Sequence, residues 1–102
     1  MDIEELDALV TALPGVRRRT QRGLLRWERR GRLVARQLDD TSVVVRAAFD
    51  VRDLLLRQSP QVFTVPARFA RHMMMVADLD AGDDAAIEEA VVSAWELQAP
   101  DT

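Results

Sequence analysis

Arginine is the residue type with the most evident chemistry in this chain. All fourteen basic residues are arginines, and nine of them fall between Arg17 and Arg36 in the run RRRTQRGLLRWERRGRLVAR. A guanidinium is planar, stays charged, and meets phosphate or carboxylate through paired N–H donors. Arg17, Arg18, Arg19, Arg22, Arg29, Arg30 and Arg32 are the candidate nucleic-acid contacts, with DNA as the expected partner. A two-stranded ribbon with an arginine-bearing turn can follow a phosphate backbone or enter a groove. The alternative is structural: these arginines lie solvated, pair with acids near the C-terminus, or guard a sheet edge.

The remaining reactive residues converge less. His72 is the only histidine and there is no cysteine, so the usual zinc ligand sets are not available. Asp78, Asp80, Asp83 and Asp84 crowd one turn, but their spacing does not fit a twelve-residue calcium loop. Helix capping accounts for them. Ser59 and Ser93 lie in no nucleophile-elbow pattern. The four glycines, Gly15, Gly23, Gly31 and Gly82, stand singly at turns and form no phosphate-binding loop. No metal, no cofactor and no catalytic set is expected, and the protein reads as a binding protein rather than an enzyme. Trp27, His72, Met73 and Met75 are candidates for a second kind of surface. If one sheet face is left open over them, it suits an apolar small molecule, a peptide or a second subunit, because methionine adapts to varied partners.

Charge is unevenly spread. The chain has a net charge of −3, yet residues 17–36 hold nine arginines against Glu28 alone, and residues 72–102 hold eight acids and no arginine. A length of 102 residues, 48% hydrophobic and 30% charged, suits one soluble domain, 1–102. No apolar run approaches the ~20 residues that span a bilayer, and the acidic start MDIEELDALV does not resemble a secretory leader. A cytoplasmic protein is the simplest expectation.

The elements that must position these residues can be read from periodicity. Asp2 to Leu13 predicts a helix, with Ile3, Leu6, Val10 and Leu13 on one face, stopped by Pro14-Gly15. Arg17 to Arg22 is expected to be a loop. Gly23 to Arg29 predicts a strand with Leu25 and Trp27 on one side and Arg26 and Glu28 on the other. Arg30-Gly31 makes a tight turn. The return strand, Arg32 to Leu38, places Val34, Arg36 and Leu38 on one face, and Leu33 and Ala35 on the other. Ser42 to Ala48 follows as a valine-rich strand. Asp50 is expected to cap a helix from Val51 to Gln58, with Leu54 and Leu55 inward. Val62 to Val65 and His72 to Leu79 read as strands, and a final helix runs from Asp83 or Asp84 to about Gln98. The fold class is α+β, in two layers. The expected order is helix, three strands, helix, two strands, helix, with the antiparallel sheet carrying its helices on one face.

With these elements placed, the chain resembles the MmcQ/YjbR family of small bacterial proteins. The matching stretches are ALPGV at Ala12 to Val16, GRLVARQLDD at Gly31 to Asp40 and SVVVRAAFDVRDLLL at Ser42 to Leu56. VFTVPARF at Val62 to Phe69, MMMVADL at Met73 to Leu79 and AIEEAVVSAWEL at Ala86 to Leu97 follow. The resemblance implies a secretion-chaperone-like α+β fold and the name usually given to the family, DNA-binding protein. It supplies no catalytic motif. The chain departs from the family at His72-Met73, where many members carry tryptophan.

Overall fold

A computed structural model describes residues 1–100. Its elements are α1 (Ile3–Thr11), β1 (Val16–Gln21), β2 (Leu24–Arg29), β3 (Arg32–Gln37), β4 (Ser42–Arg46), α2 (Phe49–Gln58), β5 (Phe63–Thr64), β6 (Met74–Asp78) and α3 (Asp84–Leu97). Single 3-10 turns occupy Ala67–Phe69 and Leu79–Ala81. The six strands form one sheet in the order β1-β2-β3-β4-β6-β5, and every neighbouring pair is antiparallel. The α+β class and the antiparallel sheet therefore hold. The order of elements does not: four strands, not three, precede α2. The residues expected to be a loop, Arg17 to Arg22, supply β1 and the turn after it.

That extra strand is made by two similar turns. Arg22-Gly23 and Arg30-Gly31 each have positive φ at both residues, 54° then 79° and 54° then 78°. Positive φ at both central positions marks the type I′ hairpin turn, whose twist matches that of the strands. The ladders close directly on these turns, with Gln21 opposite Leu24 and Arg29 opposite Arg32. β1 itself is an edge, exposed at every residue after Val16. Its arginines keep that edge hydrated and charged, a common guard against pairing with another chain.

Register decides which side chains are inside. Trp27, Ala35, Val45 and Met75 stand opposite one another across β2, β3, β4 and β6, and all four belong to the core cluster. Leu6 and Val10 from α1, Leu55 from α2, and Ile87, Ala90, Val91 and Ala94 from α3 complete it. The register shifts between Trp27 and Glu28, so Val34 has no partner of its own. This bulge lets the consecutive residues Val34 and Ala35 both enter the core, where simple alternation assigned them to opposite faces. Trp27 and Met75 are fully buried at 0% exposure, so both fill the core and no open apolar sheet face lies over those two.

Smaller differences have local causes. α2 begins at Phe49, with Ala48 as its cap residue and no side-chain cap, and Asp50 sits in its first turn. Leu55 is buried, but Leu54 is 43% exposed, because successive helical residues lie about 100° apart. Two of the crowded acids cap backbone N–H groups. Asp78 accepts from the Asp80 N–H at 2.9 Å, and Asp83 accepts from the Ala86 N–H at 3.1 Å to cap α3. Asp84 lies 3.2 Å from the Met1 amino group.

One carboxylate ties the first helix to the first hairpin. Asp7 accepts from the Trp27 indole N–H at 2.8 Å and from Arg18 Nη1 at 2.6 Å. Asp7→Ala leaves a buried N–H without an acceptor, which costs about 1–3 kcal/mol. Chemical denaturation should show a loss in that range, with an unchanged denaturant slope.

Candidate nucleic-acid interface

Because Trp27, Ala35, Val45 and Met75 point inward, their neighbours form a row on the other face. Arg19 is opposite Arg26, Arg26 is opposite Arg36, Arg36 is opposite Val44, and Val44 is opposite Val76. Arg17 is opposite Glu28 on the same side. Among the described residues, no α-helix covers this face. Residues 66–72 cross one end of it: Phe69 is buried at 7% exposure yet lies outside the main core, as does fully buried Val44. The Phe69 ring centre is 5.9 Å from the Arg36 guanidinium carbon and 4.7 Å from that of Arg68, within cation–π range.

A chain of shallow clefts runs along the arginine face. One is shared by Arg17, Arg19, Arg30 and Glu28, the next by Arg19, Arg26 and Glu28. A third, of about 410 Å³, lies between Arg22, Arg26, Arg36 and Gln37. The last, of about 210 Å³, is walled by Arg36, Arg68, Phe69, His72 and Met74. Each cleft shares an arginine with the next, so the cations line one continuous path.

Glu28 is the one acid on this path. It accepts from Arg26 Nε at 2.7 Å and from Arg19 Nη1 at 3.4 Å. The hydrogen bond from Arg26 foremost, then that from Arg19, holds its carboxyl below the ordinary glutamate value, against the opposing effect of burial. Arg36 has no such partner. Burial first, then the charges of Arg26 and Arg68, draw its guanidinium below the usual arginine value. Among the described residues, only Arg18, Arg19 and Arg26 have a carboxylate within ion-pair distance.

The seven arginines singled out in the sequence divide between two surfaces. Arg17, Arg19, Arg22 and Arg30 border the outer path. Arg18 also lines the first cleft of that path, but its guanidinium is engaged by Asp7. Arg29 turns toward the helices, where Nη1 donates to the Trp95 carbonyl at 2.8 Å and the guanidinium carbon stacks 4.0 Å from the indole centre. There it complements the negative end of α3. Arg32, opposite Arg29, borders a separate cleft with Met73, Leu97 and Gln98. Pairing of the hairpin with the carboxylates of α3 is not what the fold does: Glu88, Glu89 and Glu96 are exposed on the helical layer, and no hairpin arginine forms an ion pair with them among the described residues. Trp27 and Met75 are core residues, Met73 is half-buried in the separate cleft, and His72 is exposed beside Arg68.

Arg26 and Arg36 belong to the arginine run but are not among the seven named contacts, and Arg68 lies outside the run altogether. For Arg26 and Arg36 the signal was present. Both alternate with buried strand residues, and an inward Trp27 places Arg26 outside. Arg68 had no signal, because nothing local shows that residues 66–72 fold back across the sheet. That segment is pinned from α2: Arg52 donates to the carbonyls of Phe69 at 3.2 Å, His72 at 2.8 Å and Ala70 at 3.2 Å.

Comparison with known proteins adds no further constraint: no family model, no curated protein and no solved structure matches the chain.

Two tests follow from this geometry. Glu28→Gln removes the acid from the arginine path while keeping its shape. It should weaken the fold by about 1–2 kcal/mol, the scale of lost charge-assisted hydrogen bonds near the surface. Wild-type stability from Glu28 is complete above its unfolded value and is lost as pH falls through the lower folded value. The variant should show a shallower acid limb in pH-dependent denaturation. Arg52→Met should speed amide exchange at residues 69–73 and leave the ladders of β1 to β4 protected, as hydrogen-exchange mass spectrometry would show.

Proposed function

We propose that this protein is a non-enzymatic DNA-binding protein that holds the phosphate backbone along the outer face of its sheet. The observation that carries the reading is the row Arg19, Arg26 and Arg36, extended by Arg17, Arg22 and Arg68, along linked clefts with only Glu28 as an acid. Arginines opposite one another in adjacent strands have backbones roughly 5 Å apart, so their like charges repel unless an anion is shared between them. A polyanion provides such anions at regular intervals. Binding of this kind gains from released counterions and carries no sequence preference. A sheet face that is broad and arginine-lined, without exposed aromatic rings, suits backbone contact better than base reading.

The motif order shared with the MmcQ/YjbR family supports the same reading, and kinship with that family is part of the proposal. The DNA contact stands on the arginine geometry and does not require the kinship. The burial of Trp27 and Met75 removes the basis for an apolar docking face over those residues.

The test compares two sets of arginines by fluorescence titration of labelled duplex DNA across a salt series. Arg17→Gln, Arg22→Gln and Arg36→Gln together should weaken binding for all sequences alike and flatten the logarithmic salt slope by about 2–3, near 0.9 per lost phosphate contact. Arg32→Gln, in the separate cleft, with Arg57→Gln, in the last turn of α2, spares the path and should leave both quantities unchanged. Equal effects of the two sets would overturn the reading.

A further inference from the structure

The path of arginines has a closed end. Residues 66–72 cross the sheet there, held by the three hydrogen bonds from Arg52, and the last cleft ends against Arg68, Phe69 and His72. A nucleic-acid backbone lying along the face cannot continue straight through that wall. It must leave the surface or terminate.

The chemistry of the cleft favours termination. Arg36 and Arg68 both line it, and Arg26 is the cross-strand neighbour of Arg36. Neither Arg36 nor Arg68 has a carboxylate within ion-pair distance among the described residues. Arg36 and Arg68 meet at the Phe69 ring, and burial first, then the charges of Arg26 and Arg68, draw the Arg36 guanidinium below its usual value. Phe69 and Met74 supply an apolar wall that lowers the local dielectric and strengthens a charge pair formed there. The volume is about 210 Å³. An open cleft of that size has room for a phosphate group seated against the two guanidiniums. A stacked base is disfavoured, because Phe69 is only 7% exposed and two guanidiniums lie near its ring.

We propose that the cleft of Arg36, Arg68, Phe69, His72 and Met74 is a phosphomonoester site that takes the phosphorylated end of a DNA strand lying along the arginine face. This rests on the DNA-binding reading above. A monoester offers three terminal oxygens and about −1.5 to −2 charge at neutral pH, whereas an internal diester offers two oxygens and one charge. With three terminal oxygens a monoester can meet the planar forks of Arg36 and Arg68 while sharing only one oxygen between them, whereas a diester must share both of its oxygens and brings less charge.

The experiment titrates the full chain with short labelled duplexes that differ only at their ends: 5′-phosphate, 3′-phosphate, or hydroxyl at both. Inorganic phosphate is titrated separately. Arg68→Gln is the test variant, since Arg68 is exposed and forms no ion pair, and its melting curve checks folding. A phosphorylated end should bind about tenfold more tightly than a hydroxyl end, the scale of one added set of charge-assisted hydrogen bonds. Arg68→Gln should erase that difference. Because Arg68 also belongs to the arginine path, binding of the hydroxyl-ended duplex weakens too, and the quantity read is the ratio of phosphorylated-end to hydroxyl-end affinity, which should fall from about ten to about one. Equal affinity for all ends, with salt-dependent binding intact, overturns the end site and leaves the arginine face standing. No binding of any duplex overturns both. Saturable binding of inorganic phosphate, lost in Arg68→Gln but without any end preference, assigns the cleft to a free anion and overturns the strand-end proposal.

Discussion

The indole of Trp27 has to be satisfied before the rest of this structure can exist. Its ring is fully buried, and its N–H donates to Asp7 of α1 at 2.8 Å. A buried N–H without an acceptor costs about 1–3 kcal/mol, so the pair fixes both the seat of α1 and the inward direction of Trp27. Strand periodicity then leaves no freedom. A slip of one residue in β2 sends Trp27 to solvent and Arg26 into the core, exchanging a large gain from apolar burial for the cost of a buried charge. The outer arginine row thus follows from a choice made on the inner face.

That row carries its own penalty. Like charges directly opposite in a sheet destabilise it by a few tenths to about 1 kcal/mol per pair, and Arg19, Arg26 and Arg36 make two such pairs in succession. Three local devices limit the cost. Glu28 bridges Arg19 and Arg26, the Phe69 ring lies within reach of Arg36 and Arg68, and water screens the exposed ends. Glu28 acts on one side of the row only. At the Arg36 end the ring attracts less strongly than a carboxylate would, so repulsion is least compensated there. A fold selected only for stability would more readily place a carboxylate or an uncharged residue in this position.

Much of the architecture was legible from periodicity: the amphipathic α1 and α3, the existence of the strands on either side of Arg30-Gly31 with Trp27 facing opposite to Arg26, and the valine-rich β4. β1 was not, since VRRRTQ is an edge exposed on both faces and so shows no apolar alternation. The hint it did carry was Arg22-Gly23, a repeat of the Arg30-Gly31 turn eight positions later. The bulge at Val34 was hidden because it depends on how two strands pair, not on either strand alone. The site was half legible for the same reason. Clustering of arginine in the sequence pointed to the right hairpin, but face is set by register, which sent Arg29 to the α3 terminus and Arg18 to Asp7. Arg68 joins the path from 32 positions beyond Arg36 through a chain crossing that no local pattern encodes.

A net charge of −3 does not oppose a polyanion partner when the acids are far from the contact. The exposed glutamates of α3 lie on the helical layer, and the arginines lie on the opposite side of the sheet. The molecule measures 32 × 30 × 25 Å, while the Debye length at physiological salt is about 8 Å. A phosphate at the outer face therefore meets the guanidiniums at contact distance and the α3 carboxylates across more than one screening length. Low salt lengthens that reach to about 30 Å at 0.01 M, so the acids then begin to oppose approach just as the arginine attraction grows. The same acids orient the protein in the field of a polyanion, turning the helices away and the sheet toward it. Charge separation across two layers thus gives a net-acidic chain one face with affinity for phosphate and another that repels it.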